Sequence, residues 1–245
     1  LIDGQFRSAG RFAEAQATNA MRHMESLHGG LRCGISNDLN ISAGMPNMGP
    51  AGNGQASAHA NGAGEGQKES PVAFTCDEQK PTVSLWTSGS VNRETANINR
   101  LESQAVTIGL DYQVGKNLIV GAAAGLGWGD NRYGRNGTES EDDATTAMTY
   151  ASLGLSDKAF LDVVLGKTWV DFVGQRYVTS DASIALFKRQ GDVTFGSAAI
   201  TLEQPVGSVL LAGVLRYDYT DISLDGFSEV STSSYALTYD AASQK

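Results

Sequence analysis

The sequence holds no run of 18 consecutive apolar residues, so it encodes no transmembrane helix. A membrane is not thereby excluded, because a barrel strand crosses with only about 9–11 residues, every second one apolar. Charge is scarce: 18% of the 245 residues are Asp, Glu, Lys or Arg, against the roughly 25% usual in a soluble globular chain. Basic residues are scarcer than acidic ones, Lys+Arg 18 against Asp+Glu 27 for a net charge of −9. With no basic patch to neutralise phosphates, nucleic acid is excluded as a partner. The opening at Leu1 has neither a Met nor the basic stretch of a signal peptide, and the chain reads as an internal segment of a longer one.

Reactive side chains are few. Cysteine occurs twice, at Cys33 and Cys76. Two readings stay open: a pair of free thiols, or a disulfide in an exported protein, closing a loop of about 44 residues and worth ~4 kcal/mol in the chain-entropy model. His23 and His28 stand five apart in a helical stretch, whereas ligands sharing a helix face need a spacing of three or four. There is no G-x-S-x-G nucleophile elbow, and Gly125-Leu126-Gly127 lacks the third glycine of a phosphate cradle. The acidic run 139–143 reads as a solvated loop. These absences leave no catalytic residue, no metal site and no cofactor to propose.

What is present is period. Residues 1–30 are helical in pattern, with Phe12, Ala13, Ala17, Ala20, Met21, Met24 and Leu27 on one face and Gly29-Gly30 as a stop. Arg11, Glu14, Gln16, Asn19, Arg22 and Glu25 form the opposite, polar face. Residues 31–80 are rich in Gly, Ala and Asn, without periodicity over 34–71, and read as a flexible segment. From residue 81 to 245 the chain alternates in strands, expected at 82–91, 104–114, 118–129, 145–155, 159–171, 192–204, 208–222 and 234–240.

Two features of these strands bear on function. Connections at 115–117, 156–158 and 205–207 are short, and those at 92–103, 130–144, 173–191 and 225–234 are long and polar. Strict alternation of short and long is the habit of a membrane barrel, with short periplasmic turns and long outer loops. The faces agree. Val106, Ile108, Leu110, Tyr112 and Val114 would meet lipid, while Thr107, Gly109, Asp111 and Gln113 would line a lumen. In 208–222, Arg216 and Asp218 fall on the lumen side and Tyr217 and Tyr219 on the lipid side near one end, as interfacial aromatics should. Trp128 and Trp169 also lie near strand ends, and Lys167 falls outward and would have to reach the interface. Inward charges need partners, and helix residues Arg22 and Glu25 are the candidates to pair with Asp111, Arg216 and Asp218. A soluble extracellular β-sandwich, an adhesin or carbohydrate-binding module, is the rival reading.

Five stretches in order, SLWTSGSV (84–91), VTIGLDYQVGKNLIVGAAAGLGWG (106–129), FLDVVLGKTW (160–169), LRYDYTDISLDGFSEV (215–230) and YALTYDAASQ (235–244), resemble the β-domain of autotransporters, the type V secretion proteins of Gram-negative bacteria. The resemblance marks Trp86, Gly109, Gly121 and Gly125 as structural motif positions. It implies an all-β fold, an antiparallel up-and-down transmembrane β-barrel preceded by a linker α-helix that threads the pore. Lys245 would follow about eight of the family's twelve strands, so the barrel would be incomplete and its two edges open. It further implies a non-enzymatic translocator at the bacterial cell surface. Its partners would be outer-membrane lipid, its own N-terminal passenger, the barrel-assembly machinery and periplasmic chaperones. Some members cut the linker at an Asn-Asn pair, but here the helix has Asn19-Ala20.

Overall fold

The computed structural model describes residues 1–28, 35–44, 83–96, 99–134, 136–206 and 209–245, and statements of absence below concern these alone. One helix, α1 (Ile2–Ser26), precedes β1 (Ile35–Gly44), β2 (Val83–Ala96), β3 (Asn99–Val114), β4 (Leu118–Tyr133), β5 (Thr138–Ser156), β6 (Ala159–Val178), β7 (Ser183–Val206) and β8 (Val209–Leu224). Three short strands follow: β9 (Phe227–Ser228), β10 (Thr238–Tyr239) and β11 (Ala242–Gln244). One nine-stranded sheet runs β1-β2-β3-β4-β5-β6-β7-β8-β11, an antiparallel meander from β2 onward. The sheet is not closed, since β1 and β11 end it. It wraps α1, which touches every strand from β2 to β8.

The period-2 pattern becomes two chemically opposite faces. Val106, Ile108, Leu110, Leu126, Trp128, Leu165 and Trp169 stand exposed on the convex side, and Leu215 and Tyr217 are 74% and 71% exposed. Thr107, Asp111, Asp142, Thr146, Asp162, Thr168 and Ser197 are buried on the concave side. A soluble protein would not leave so large an apolar band in water. A β-sandwich, the rival expectation, packs two apolar inner faces together. Here the apolar face has no second sheet on it among the described residues, so the fold is not a sandwich.

Three of the four long loops expected from the sequence are mostly strand. β2 and β3 cover most of 92–103, β4 and β5 most of 130–144, and β6 and β7 most of 173–191. The turns left are short, at 134–137 and 179–182. The physical reason is height. Strands β4 to β7 have 16, 19, 20 and 24 residues, well beyond the roughly 9–11 that cross the hydrocarbon. Parts beyond that span need no lipid on their outer face, so an apolar outer set is no longer selected there, while the inner face stays buried, Asp142, Phe172 and Arg189 among it. At and above the level of Trp128 and Trp169 the outer face carries Asp130, Arg132, Glu141, Asp143 and Asp171. Lys167 faces outward as expected, and its Nζ meets Asp192 Oδ2 at 3.1 Å, next to the Trp169 level. The fourth connection, after β8, is largely irregular, and the strand expected at 234–240 shrinks to β10, with β11 taking the place beside β8. In the turns, Gly115 (φ 72°) and Gly137 (φ 80°) adopt left-handed backbone that side chains resist.

Residues 35–44 depart from the expected flexible segment. They pair in parallel with β2, Ile35 opposite Leu85 through Gly44 opposite Glu94. The alternation was present: Ile35, Leu39, Ile41 and Ala43 share one parity and Ser36, Asp38, Asn40 and Ser42 the other. It was hidden by Asn37 and by the Gly/Asn-rich surroundings. The strand expected to lack a neighbour at 82–91 therefore has one. The Thr87 hydroxyl donates to Asn37 Oδ1 across the pair. With Cys33 and Cys76 replaced by serine, the variant Asn37→Cys/Thr87→Cys should form an intramolecular disulfide, read as a mobility shift on a non-reducing gel. Unreacted thiols under oxidising conditions would remove β1 from this edge. Cys33 and Cys76 themselves lie outside the described residues.

Candidate functional site

The concentration of polar contact in the molecule is the interface between α1 and the concave wall. Thirteen of the helix's residues are buried, among them Gln5, Ser8, Gln16, Asn19 and His23. The sequence pattern sets Gln16 and Asn19 on the polar face opposite Ala13 and Met21, and in the structure residues of both faces are buried. The wall is polar, so polar helix residues turn towards it and not away.

The contacts form a ladder. At the end with the long strands, Gly4 lies against the Tyr133 ring. Gln5 Oε1 accepts from Arg189 Nη1 at 2.9 Å, and Arg189 Nε also donates to the carbonyl of Asp225 at 2.6 Å. One turn down, the Ser8 hydroxyl donates to Asp142 Oδ2 at 2.5 Å, and Asp142 also accepts from Asn131 and from Ser140 (2.8 Å). Phe12 then lies over Gly127 and Gly129. The Thr107 hydroxyl donates to Gln16 Oε1 at 2.6 Å and accepts from Asn19 Nδ2 at 2.8 Å.

Lower down, His23 Nε2 meets Asp111 Oδ2 at 2.8 Å. The same carboxylate accepts from Ser84 (2.6 Å) and from Tyr150 (2.5 Å), and Tyr150 accepts from Trp86 Nε1 at 2.5 Å. The Trp86 and His23 rings stack with centroids 4.3 Å apart. Trp86 leaves no room for a Cβ at Gly109, Tyr150 none at Gly121, and Gln16 none at Gly125. Past the helix end, His28 reaches Asp162 and Glu203. The helix thus runs from the long-strand mouth, near turn 134–137, to the short-turn mouth, near turn 157–158.

Of the polar residues singled out in the sequence, Asp111 is fully engaged, but its helix partner is His23, not Arg22 or Glu25. Gln113 is half-buried at the lower end of β3. Arg216 and Asp218 face inward and pair with each other, Nη2 to Oδ1 at 2.8 Å, with Arg216 also donating to the Ser197 hydroxyl at 3.0 Å. Arg22 and Glu25 share with them a cavity of about 780 Å³ between α1 and β8, lined also by Arg7 and Glu14. Sequence reasoning missed Asp142 and Asp162, whose inward parity was legible, and Ser8, His23 and His28, whose roles depend on the wall they meet.

The outer mouth carries a second anchor. Arg176 grips Glu229 through two hydrogen bonds of 2.6 Å each, and the Leu237 N–H donates to the same carboxylate at 3.0 Å. Burial alone would push the Glu229 carboxyl up; these donors hold it below its ordinary range. Phe227 from the same segment packs between Phe187 and Tyr239. The connection after β8 is therefore tucked towards the lumen, where an open loop was expected.

The arrangement holds the helix against the wall. Ser84, Asp111 and His23 are neighbours, but the carboxylate stands between hydroxyl and imidazole, while a hydrolytic triad places the imidazole in the middle.

The family model described as the autotransporter beta-domain matches residues 85–245. The fold is similar to the translocator domain of autotransporter NalP from Neisseria meningitidis, with a TM-score of 0.52 and 18% identity over 60% of this chain and 50% of that one. The chain thus spans half the length of that structure. A fainter similarity, TM-score 0.34 at 16% identity over 62% of this chain and 27% of the other, is to BauA, the ferric preacinetobactin receptor from Acinetobacter baumannii. None of the curated protein sequences matches the chain. A sheet greasy outside and polar inside wraps a helix, and the family model covers about two thirds of the chain: the chain belongs to the autotransporter β-domain family and to the bacterial outer membrane.

Proposed function

We propose that this domain anchors an N-terminal passenger and enables its export to the cell surface, with no enzymatic step of its own. The observation that supports this is the direction of α1. Its N-terminal end sits at the long-strand mouth, beside Tyr133 and Arg189, so a polypeptide joined ahead of Leu1 leaves the lumen on that side. Long strand extensions mark the outer side of bacterial barrels and short turns the periplasmic side. Delivery by periplasmic chaperones and insertion by the barrel-assembly machinery complete the reading, since a strand edge cannot enter hydrocarbon unpaired.

An epitope fused ahead of Leu1 in an outer-membrane-resident form of the protein should be cut by protease added to intact cells. Cysteine at Gly137 should react with an impermeant maleimide from outside, and cysteine at Asn117 should not. Ser231 is half-buried with its hydroxyl on the Ile184 carbonyl, so exposed Thr232 is the better second outer probe. Labelling at 117 with protection at 137 would invert the topology and overturn the proposal.

A further inference from the structure

The helix ends at Ser26 with Leu27 as its C-cap, and His28, one residue on, is held from three sides at the lower mouth. Its ring lies flat on Phe160, centroids 3.9 Å apart and planes 3° from parallel. Nε2 meets Asp162 Oδ2 at 3.0 Å and Nδ1 meets Glu203 Oε1 at 3.2 Å. The His28 side chain is 6% exposed and that of Asp162 is 0%. Both acids project inward, from β6 and β7. The other charged groups nearby are Lys158, whose carbonyl takes the Glu203 N–H at 2.8 Å while its Nζ reaches Gln204, and Glu25 on the helix, which faces solvent.

We propose that His28 is a protonation-dependent latch: charged, it fastens the C-terminal end of α1 to β6 and β7 through both carboxylates at once, and neutral, it lets go. The donor count carries the inference. Both ring nitrogens face a carboxylate oxygen, and only the imidazolium has two N–H donors. A neutral ring keeps one donor and turns a lone pair towards the second carboxylate. Asp162 is the worse one to abandon, because its Oδ1 is already buried without a partner. The helix C-terminus and the face of Phe160 both favour a positive ring at this point.

The sign follows. Burial opposes charge on His28, but the bonds and the attraction from Asp162 and then Glu203 outweigh it and raise its pKa above the ordinary value of about 6.5. The docked state's gain is fully present below that ordinary value and is lost as pH rises through the raised one. The released fraction should climb by up to about tenfold per pH unit across that window.

The test uses the 245-residue chain in detergent micelles, with Cys33 and Cys76 replaced by serine and spin labels on cysteines at exposed Ser26 and Asp157. Distance distributions are measured from pH 5.5 to 9. A single short distance at low pH, with a long-distance population growing above pH 6.5, is expected. In His28→Gln the released fraction should be high and flat with pH, and in His28→Lys low and flat. Glu203→Gln, a milder change, should move the transition to lower pH. His23→Gln, which removes the other helix imidazole and its bond to Asp111, should raise the released fraction at every pH and still show the rise above pH 6.5. A wild-type distribution that does not change with pH overturns the latch, and so does a His28→Gln profile that follows the wild type.

Discussion

Replacing Gly127 with leucine releases α1 from the sheet while the sheet itself stays paired. A Cβ at Gly127 would stand 2.6 Å from Cδ1 and 2.9 Å from Cε1 of Phe12, closer than carbon atoms approach. Phe12 is 1% exposed and has nowhere to swing, and Gly127 pairs with Ala105 and Ala144 on the strands either side. Overpacking of a filled site costs about 1–3 kcal/mol, and leucine lies at the upper end. Every 1.4 kcal/mol is about tenfold in the docking equilibrium. Trypsin provides the reading, because Arg7, Arg11 and Arg22 all lie on α1. Cleavage within residues 1–28 should accelerate by about 10–100-fold over the wild type. The double variant Gly127→Leu/Phe12→Ala should recover most of the protection, since the methyls then occupy the space of the ring, and that recovery separates a local clash from general misfolding. Cleavage of the single variant at the wild-type rate would mean that the helix does not rest on β4.

Trp86→Ala should be the most destabilising single truncation in the wall. The indole is 1% exposed, covers Gly109, stacks on His23 and donates to Tyr150, which in turn holds Asp111. Removing such a side chain costs about 3–5 kcal/mol through lost burial and the cavity left behind. Trp86→Phe keeps most of the volume and loses the N–H, so the Tyr150 oxygen forfeits a donor at about 1–2 kcal/mol. Guanidinium unfolding in micelles can be followed through Trp128 and Trp169, which face outward and survive both changes. The expected order of midpoints is wild type, Trp86→Phe, Trp86→Ala. Equal midpoints for the two variants would assign the whole effect to the hydrogen bond, and a wild-type midpoint for Trp86→Ala would show that the network does not secure the structure.

Most of the wall is legible in the sequence. The outward set on β3 and β4 follows directly from alternation, because in a strand successive side chains must point to opposite faces. Asp111 was placed inward for the same reason. Its partner was not, since choosing between His23 and Arg22 requires the rotation of α1 about its own axis. The polar ends of β4 to β7 read as loops because the regular apolar set fades where the outer face meets water, although the inner face stays buried. Backbone pairing, which leaves no trace in side-chain polarity, continues regardless.

By itself the sequence determined the class: alternating strands, an apolar outer face, a small and polar inner face, and a helix ahead of them. These follow from local geometry, in which a residue's parity along the chain decides its side. Only the tertiary structure decided which helix residue meets which wall residue, that Gln16, Asn19 and His23 face inward, and that His28 sits between Asp162 and Glu203. The members of those contacts are separated by 88 to 175 positions in the chain. Such pairings depend on the rotation and depth of one helix within a curved sheet, and no local pattern encodes either quantity.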